Sequence, residues 1–257
     1  MEKIQVEFTH GDTVARIVLN DGKGNVLDYQ MMEQIQAQLD RFAHLPRLKL
    51  ITWEGAGKHF SFGASVEEHR KEFAPAMLRG FHGLFFSLRD LCIPTLAKIS
   101  GQCLGGGLEL ALMCNQLFAD QTAKLGQPEI VLGVFPPLAS ILLPEKIGLA
   151  RAEDLLLTGR SVNAAEGLDL GLLNRVFETR AELDAGAEAW IEQHILPKSA
   201  SSLRFAVRAA RVKFNHVLAN FLPQLEQLYI SQLMNTHDAN EGIAAFLEKR
   251  KPEWEYA

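Results

Sequence analysis

Three consecutive glycines, Gly105 to Gly107, stand directly before an apolar helical run in the stretch Gln102-Cys-Leu-Gly-Gly-Gly-Leu-Glu-Leu-Ala-Leu-Met-Cys114. Few sequence features restrict a backbone more. Glycines let main chain come close to another group and leave amide N–H groups bare, and the helix that follows directs its positive end at the same point. The stretch therefore reads as a cradle for an anion or an oxyanion. One charge interrupts the apolar run, Glu109, in the first turn of that helix. Close packing of helix on strand, with Glu109 facing water, is the plainer alternative.

Around this point the chain alternates short strands with helices. Ile4 to Asn20 predicts two strands about a turn at His10-Gly11-Asp12, and Asp28 is placed to cap a helix carrying Met31, Met32, Ile35 and Leu39. Leu48 to Trp53 reads as a buried strand, and Met77 to Leu91 as a helix whose Phe81, Phe85 and Phe86 serve core packing. Strands follow at Pro94 to Ile99, Gln116 to Asp120 and Ala123 to Gly126. Gln127-Pro-Glu-Ile130 is a turn that presents a second carboxylate, Glu129. This order predicts an α/β core with parallel strands. From Leu149 onward helical periodicity dominates, over Ala150 to Leu157, Ala164 to Leu170, Arg180 to His194, Ser199 to Leu218, Phe221 to Met234 and Asn240 to Lys251, with one short strand at Leu173 to Phe177.

The totals narrow the function. Lys and Arg number 26 against 31 Asp and Glu, a net charge of −5 without a basic block, which argues against nucleic acid as the main partner. The three cysteines, Cys92, Cys103 and Cys114, form no C-x-x-C pair and suggest neither a disulfide framework nor a zinc site. The eight histidines show no paired ligand spacing, and the glycine triplet is neither G-x-G-x-x-G nor a Walker loop, so no metal and no nucleotide cofactor is implied. No run approaches the ~18 apolar residues of a membrane span, and the N-terminus lacks a signal-peptide core. A cytoplasmic protein without membrane contact is expected.

Three motifs converge: Phe60-Ser-Phe-Gly-Ala64, Gly105-Gly-Gly107 with Glu109, and Gln127-Pro-Glu129. With Leu157-Thr-Gly159, Ala164-Ala-Glu-Gly167 and the tail Glu241 to Arg250, they make the chain resemble the crotonase superfamily of enoyl-CoA hydratases and isomerases over essentially its whole length. The resemblance implies a crotonase (ClpP-like) spiral of ββα units. It divides the chain into a core over residues 1–190 and a helical section over 191–257 that covers the active site and builds a homotrimer or a dimer of trimers.

The same resemblance implies the chemistry. The backbone N–H groups of Ala64 and Gly106 form the oxyanion hole for the thioester carbonyl of an acyl-CoA. Glu109 orients and deprotonates water, and Glu129 delivers a proton to the α-carbon. Asn25, Val26 and Leu27, the loop Phe62, Gly63, Ser65, Val66 and Glu67, and Gly105 and Phe135 form the substrate and CoA contacts, with Lys249 or Arg250 as candidates for the CoA phosphates. CoA enters as part of the substrate, so no separate cofactor is expected. Retention of both glutamates favours a hydratase over an isomerase. Ser65 stands where many members have Asp, and Phe135-Pro-Pro-Leu-Ala-Ser140 replaces a glycine-rich run, which predicts a reshaped acyl pocket. In these segments the chain is similar to dienoyl-CoA hydratases of anaerobic aromatic degradation, which act on cyclohexa-1,5-diene-1-carbonyl-CoA. A short- or medium-chain enoyl-CoA hydratase, an isomerase and a non-catalytic binding protein of the same fold are the alternatives.

Overall fold

The computed structural model describes residues 2–256. The outermost residues of the two expected sections, 1 and 257, lie outside them. Two strands, β1 (Ile4–Thr9) and β2 (Val14–Leu19), form an antiparallel hairpin about the predicted turn, where His10, Gly11 and Asp12 all have positive φ. Then α1 (Tyr29–Ala43) begins at Asp28, whose side chain accepts the Met31 N–H at 3.0 Å. That cap satisfies one of the donors a helix start leaves free.

β3 (Leu50–Gly55), β4 (Thr95–Ile99), β6 (Gln116–Asp120) and β9 (Arg175–Phe177) join the hairpin in a six-stranded sheet of order β1-β2-β3-β4-β6-β9, parallel from β2 onward. A smaller sheet pairs β5 (Gln102–Leu104), β7 (Lys124–Gly126) and β8 (Ser161–Asn163). The chain climbs in repeated steps from large sheet to small sheet to helix. β3 leads through the bridge Ser61↔Cys103 to α2 (Ala74–Leu91), β4 through β5 to α3 (Gly106–Leu112), and β6 through β7 to α4 (Pro137–Ile147). This is the crotonase spiral.

Strand alternation sorts the large sheet's side chains onto its two faces. Ile17, Ile51, Trp53, Ala97 and Leu117 face the main core with α1 to α4, while Val14, Leu50, Leu96 and Phe118 pack on the opposite face against Leu183 and Ala187 of α7 (Arg180–Trp190). Between β7 and α7 lie α5 (Leu149–Thr158) and α6 (Ala164–Asp169). After α7 come a π-helical turn at Ile191–Ile195, α8 (Ala200–Ala210), α9 (Val212–Ser231) and α10 (His237–Leu247).

Several boundaries differ from the sequence reading. β5, α4 and β8 are additional elements. α4 is buried nearly all round and has no polar face, because Leu138, Ala139, Ile141, Leu142, Leu143 and Ile147 are all inside. The helical break expected between Leu218 and Phe221 falls instead at Arg211, and α9 runs through Ala219 and Asn220 with Pro223 inside it. The last helix begins at His237, capped by Thr236, and ends at Leu247. Among the described residues no helix is long and apolar enough to cross a membrane.

Candidate active site

α3 starts where the two sheets meet, and its first residue, Gly106, has an N–H that the helix cannot use. Gly105, the cap, has φ +50° and donates its own N–H to Gly126 O at 2.9 Å. Facing it is the loop Phe62 to Ser65, held by a parallel bridge to Leu27. Leu27 N–H donates to Gly63 O at 2.9 Å and Ser65 N–H donates to Leu27 O at 3.4 Å, so the bridge uses the groups on either side of Ala64 and leaves the Ala64 N–H out of the ladder. A Cβ built on Gly106 would stand 3.1 Å from Ala64 N. Two bare N–H groups therefore share one small space.

Both glutamates meet at that space. Glu109, one turn into α3, is 4 % exposed, and its Oε1 accepts the Ala139 N–H at the start of α4 at 2.8 Å. Burial pushes its carboxyl up to about 7, against the opposing effect of the Ala139 and Leu138 N–H groups. Glu129 lies on the 3₁₀ turn Pro128–Leu132, and a Cβ built on Gly105 would stand 2.7 Å from its Oε1. Burial and then the negative charge of Glu109 hold the Glu129 carboxyl well above the usual carboxylate range. Fully buried Gln127, with its NH₂ turned to the carboxylate, donates to both Glu129 oxygens at 3.0 Å. A base near neutrality beside a carboxylic acid is an arrangement for moving protons in both directions.

A cleft of about 600 Å³, its open mouth included, runs past this pair. Of the residues expected from sequence, Phe62, Gly63, Ala64, Val66, Gly105, Gly106, Glu109, Glu129 and Phe135 line it together. Asn25, Val26, Leu27, Ser65 and Glu67 do not. The Asn25 amide is buried and donates to Ala56 O at 3.1 Å and His59 O at 2.8 Å, Leu27 is wholly inside the core, and Glu67 pairs with Arg70 at 2.8 Å. At the tail, Arg250 is occupied by Glu241 at 2.7 Å and Glu248 at 2.6 Å.

The sequence reading missed the far wall. His82 of α2 and Tyr229 of α9 both line the cleft, 1 % exposed each. His82 Nδ1 pairs with the Glu226 carboxylate, one turn before Tyr229 on α9, while His82 Nε2 and Tyr229 Oη have no hydrogen-bond partner among the described residues. The helical spacing of Leu78, Phe81, His82 and Phe85 was the available signal for His82; all four are buried on one face of α2. Nothing local marks Tyr229. His69, also lining the cleft, sets its Nδ1 against Ser65 O at 2.7 Å, and burial lowers its affinity for a proton. Among the described residues no group of three potential ligands could hold a metal ion.

The model of the family described as enoyl-CoA hydratase/isomerase matches residues 9–257. A cyclohexa-1,5-dienecarbonyl-CoA hydratase from Thauera aromatica is 45 % identical over 252 residues, which cover 98 % of this chain and 96 % of that protein. A probable enoyl-CoA hydratase from Mycobacterium tuberculosis is 39 % identical over 90 % of this chain and 89 % of its own. Among solved structures, an enoyl-CoA hydratase from Mycobacterium avium subsp. paratuberculosis superposes with a TM-score of 0.86 at 25 % identity, covering 99 % of both chains.

Proposed function

This chain belongs to the enoyl-CoA hydratase/isomerase family, and from that membership we propose that it adds water to cyclohexa-1,5-diene-1-carbonyl-CoA, as a step of anaerobic aromatic degradation. The observation that carries the reading is the meeting of the two buried carboxylates, Glu109 and Glu129, with the bare N–H groups of Ala64 and Gly106.

The reaction follows from that geometry. The thioester oxygen accepts from Ala64 N–H and Gly106 N–H. Glu109, ionised, takes a proton from water as the oxygen forms its bond to the β-carbon. The electron pair of the C=C bond moves toward the thioester oxygen, where the two N–H groups meet charge that exists only during the reaction. Glu129, protonated, returns a proton at the α-carbon. The two carboxyls end with their protonation states exchanged, and one proton passing between them through solvent or product release restores the start.

The cyclic diene is supported by the 45 % identity to the Thauera aromatica hydratase and by the aromatic side chains of Phe62, Phe81, Phe135 and Tyr229 along the cleft. A flat six-membered ring suits such walls. The runner-up, a short- or medium-chain enoyl-CoA hydratase, is favoured by the 39 % identity to the Mycobacterium tuberculosis protein. CoA is part of the substrate and no separate cofactor enters the reading. A homotrimer or dimer of trimers in the cytosol completes it, and the exposed apolar Phe205, Val212 and Phe221 on α8 and α9 offer surface for such contacts. Light scattering that gives a single-chain mass at micromolar concentration rejects the oligomer.

Hydration of the cyclic dienoyl-CoA beside crotonyl-CoA, followed by ultraviolet absorbance, tests the substrate. Faster turnover of the diene supports the proposal, and a strong preference for crotonyl-CoA replaces it with the runner-up.

A further inference from the structure

We propose that Tyr229 is a catalytic residue whose phenol donates a hydrogen bond to the oxygen of the reacting water, and to the same oxygen once it has become the hydroxyl of the product. This rests on the two-carboxylate reading above.

A buried hydroxyl without a partner is rare, because burial removes water that would otherwise satisfy it. Tyr229 is such a case: the residue is 1 % exposed, lines the cleft, and its Oη finds no acceptor or donor among the described residues. Its neighbourhood is the carboxylate pair. Burial, the largest cause, and the two neighbouring carboxyls raise its pKa, so that it holds its proton and remains a donor.

Elimination leads to the same group. A water between two carboxyls can give its protons to them, but its oxygen needs a donor to fix its lone pairs. The first turn of α4 points at this region, yet Pro136 and Pro137 have no N–H, and the Ala139 and Leu138 N–H groups are engaged by Glu109. The Ala64 and Gly106 N–H groups belong to the thioester oxygen. His69 faces Ser65 O with Nδ1 and burial lowers its affinity for a proton, so its Nε2 is an acceptor, while His82 is engaged through Nδ1 with Glu226. Tyr229 is the one side-chain hydroxyl among the residues lining the cleft. It is also well held: its ring meets Phe135 at 5.5 Å between centroids, and Glu226, one turn earlier, pins α9 to α2 through His82.

No bond to Tyr229 forms or breaks. In hydration the phenol fixes the oxygen while Glu109 takes the water proton. In dehydration the C–O bond breaks with its electron pair on oxygen, Glu109 supplies the proton that makes water, and the phenol stabilises the charge that develops in between.

Tyr229→Phe in the full-length protein removes the hydroxyl and keeps the ring. The expected result is a kcat lower by about 10- to 100-fold, the range of one hydrogen bond to a group carrying charge, with little change in KM. Two binding comparisons, made in the Glu129→Gln background so that neither thioester turns over, separate this from a packing effect. Binding of 3-hydroxybutyryl-CoA should weaken about tenfold while butyryl-CoA, which lacks the hydroxyl, binds as before, and the thermal midpoint should not fall. An unchanged kcat, or equal weakening of both thioesters, overturns the proposal. Glu109→Gln and Glu129→Gln, assayed alongside, keep the two readings apart. If they retain activity the carboxylate reading fails, and if they lose it while Tyr229→Phe does not, only the role of Tyr229 falls.

Discussion

The carboxylate of Glu109 on α3 accepts the backbone N–H of Ala139 on α4 at 2.8 Å, across thirty residues of sequence. That bond favours the ionised form, burial opposes it, and burial wins, leaving the group at about 7. Glu129 is held well above the usual carboxylate range, by burial first and then by the charge of Glu109. In the proposed hydration Glu109 has to be ionised as base and Glu129 protonated as acid. The rate of hydration should therefore rise with pH through about 7 and fall again at higher pH, with the two apparent values belonging to the pair. A profile of kcat/KM against pH that is flat from about 5.5 to 9 contradicts the assignment.

The same displacement has a cost in stability. Glu109 binds its proton more tightly in the folded chain than in the unfolded one, so its contribution is fully present below about 4.5 and is lost as pH rises through about 7. At pH 8 the buried charge costs on the order of 3 kcal/mol. Glu109→Gln retains an acceptor for the Ala139 N–H and carries no charge. It should melt at a higher temperature than the wild type at pH 8, with the gap closing toward pH 5. Calorimetry at the two pH values decides it, and an equal or lower midpoint for the variant at pH 8 counts against a strained base.

Much of the arrangement that brings these residues to one cleft was legible in the sequence, because it depends on local signals. A glycine triplet before a helix, a proline-flanked glutamate in a turn and an Asp placed to cap α1 act through neighbours in sequence. The remainder depends on tertiary placement. α4 escaped notice because burial on nearly every side removes the period that marks a helix, and it contains Pro137 and Pro144, the first at a helix start, where its missing N–H does no harm. Tyr229 escaped for a related reason. Its partners, Glu109 and Glu129, are a hundred residues or more away, and only the packing of α9 on α2 and α4 sets it over the cleft.

Gly105 joins both kinds of information. Its φ of +50° disfavours any side chain, and a methyl there would lie 2.7 Å from Glu129 Oε1. Gly105→Ala should lower the hydration rate by at least about 10²-fold by displacing Glu129, the proposed proton donor, and cost about 1 kcal/mol or more in stability. Gly80, exposed on α2 with nothing within 4 Å of a built Cβ, is the control. Gly80→Ala should stabilise by about 0.5–1 kcal/mol and leave kcat alone. Equal activity in the two variants would falsify the placement of Glu129 over Gly105.

Glu54 sets the sheet's other dependence on charge. It is fully buried on β3, and three cations from three elements converge on it: Lys98 of β4 at 2.7 Å, Arg180 of α7 at 2.8 Å, and Arg16 of β2. Lys98 also reaches Asp184 of α7 at 2.7 Å, so the cluster fastens α7 to the strands it covers. Burial opposes ionisation of Glu54, but the charges of Lys98, Arg16 and Arg180 and the Lys98 hydrogen bond outweigh it and hold the carboxyl below its usual range. Glu54→Gln leaves the cations facing a neutral amide. Arg16 and Arg180 keep 41 % and 33 % of their side chains in water and can turn outward, so the loss should be about 3 kcal/mol, the low end for breaking a buried pair. The sign with pH is opposite to that of Glu109. A depressed carboxyl stabilises above its unfolded value of about 4.5 and ceases to do so as pH falls through its folded value, so wild type and variant should differ at pH 7 and converge under acid. Urea unfolding at both pH values measures this, with kcat as the second readout. Because Glu54 does not line the cleft, the variant should turn over substrate at the wild-type rate while it remains folded. A constant stability gap down to pH 3 would show that the carboxylate contributes through shape alone.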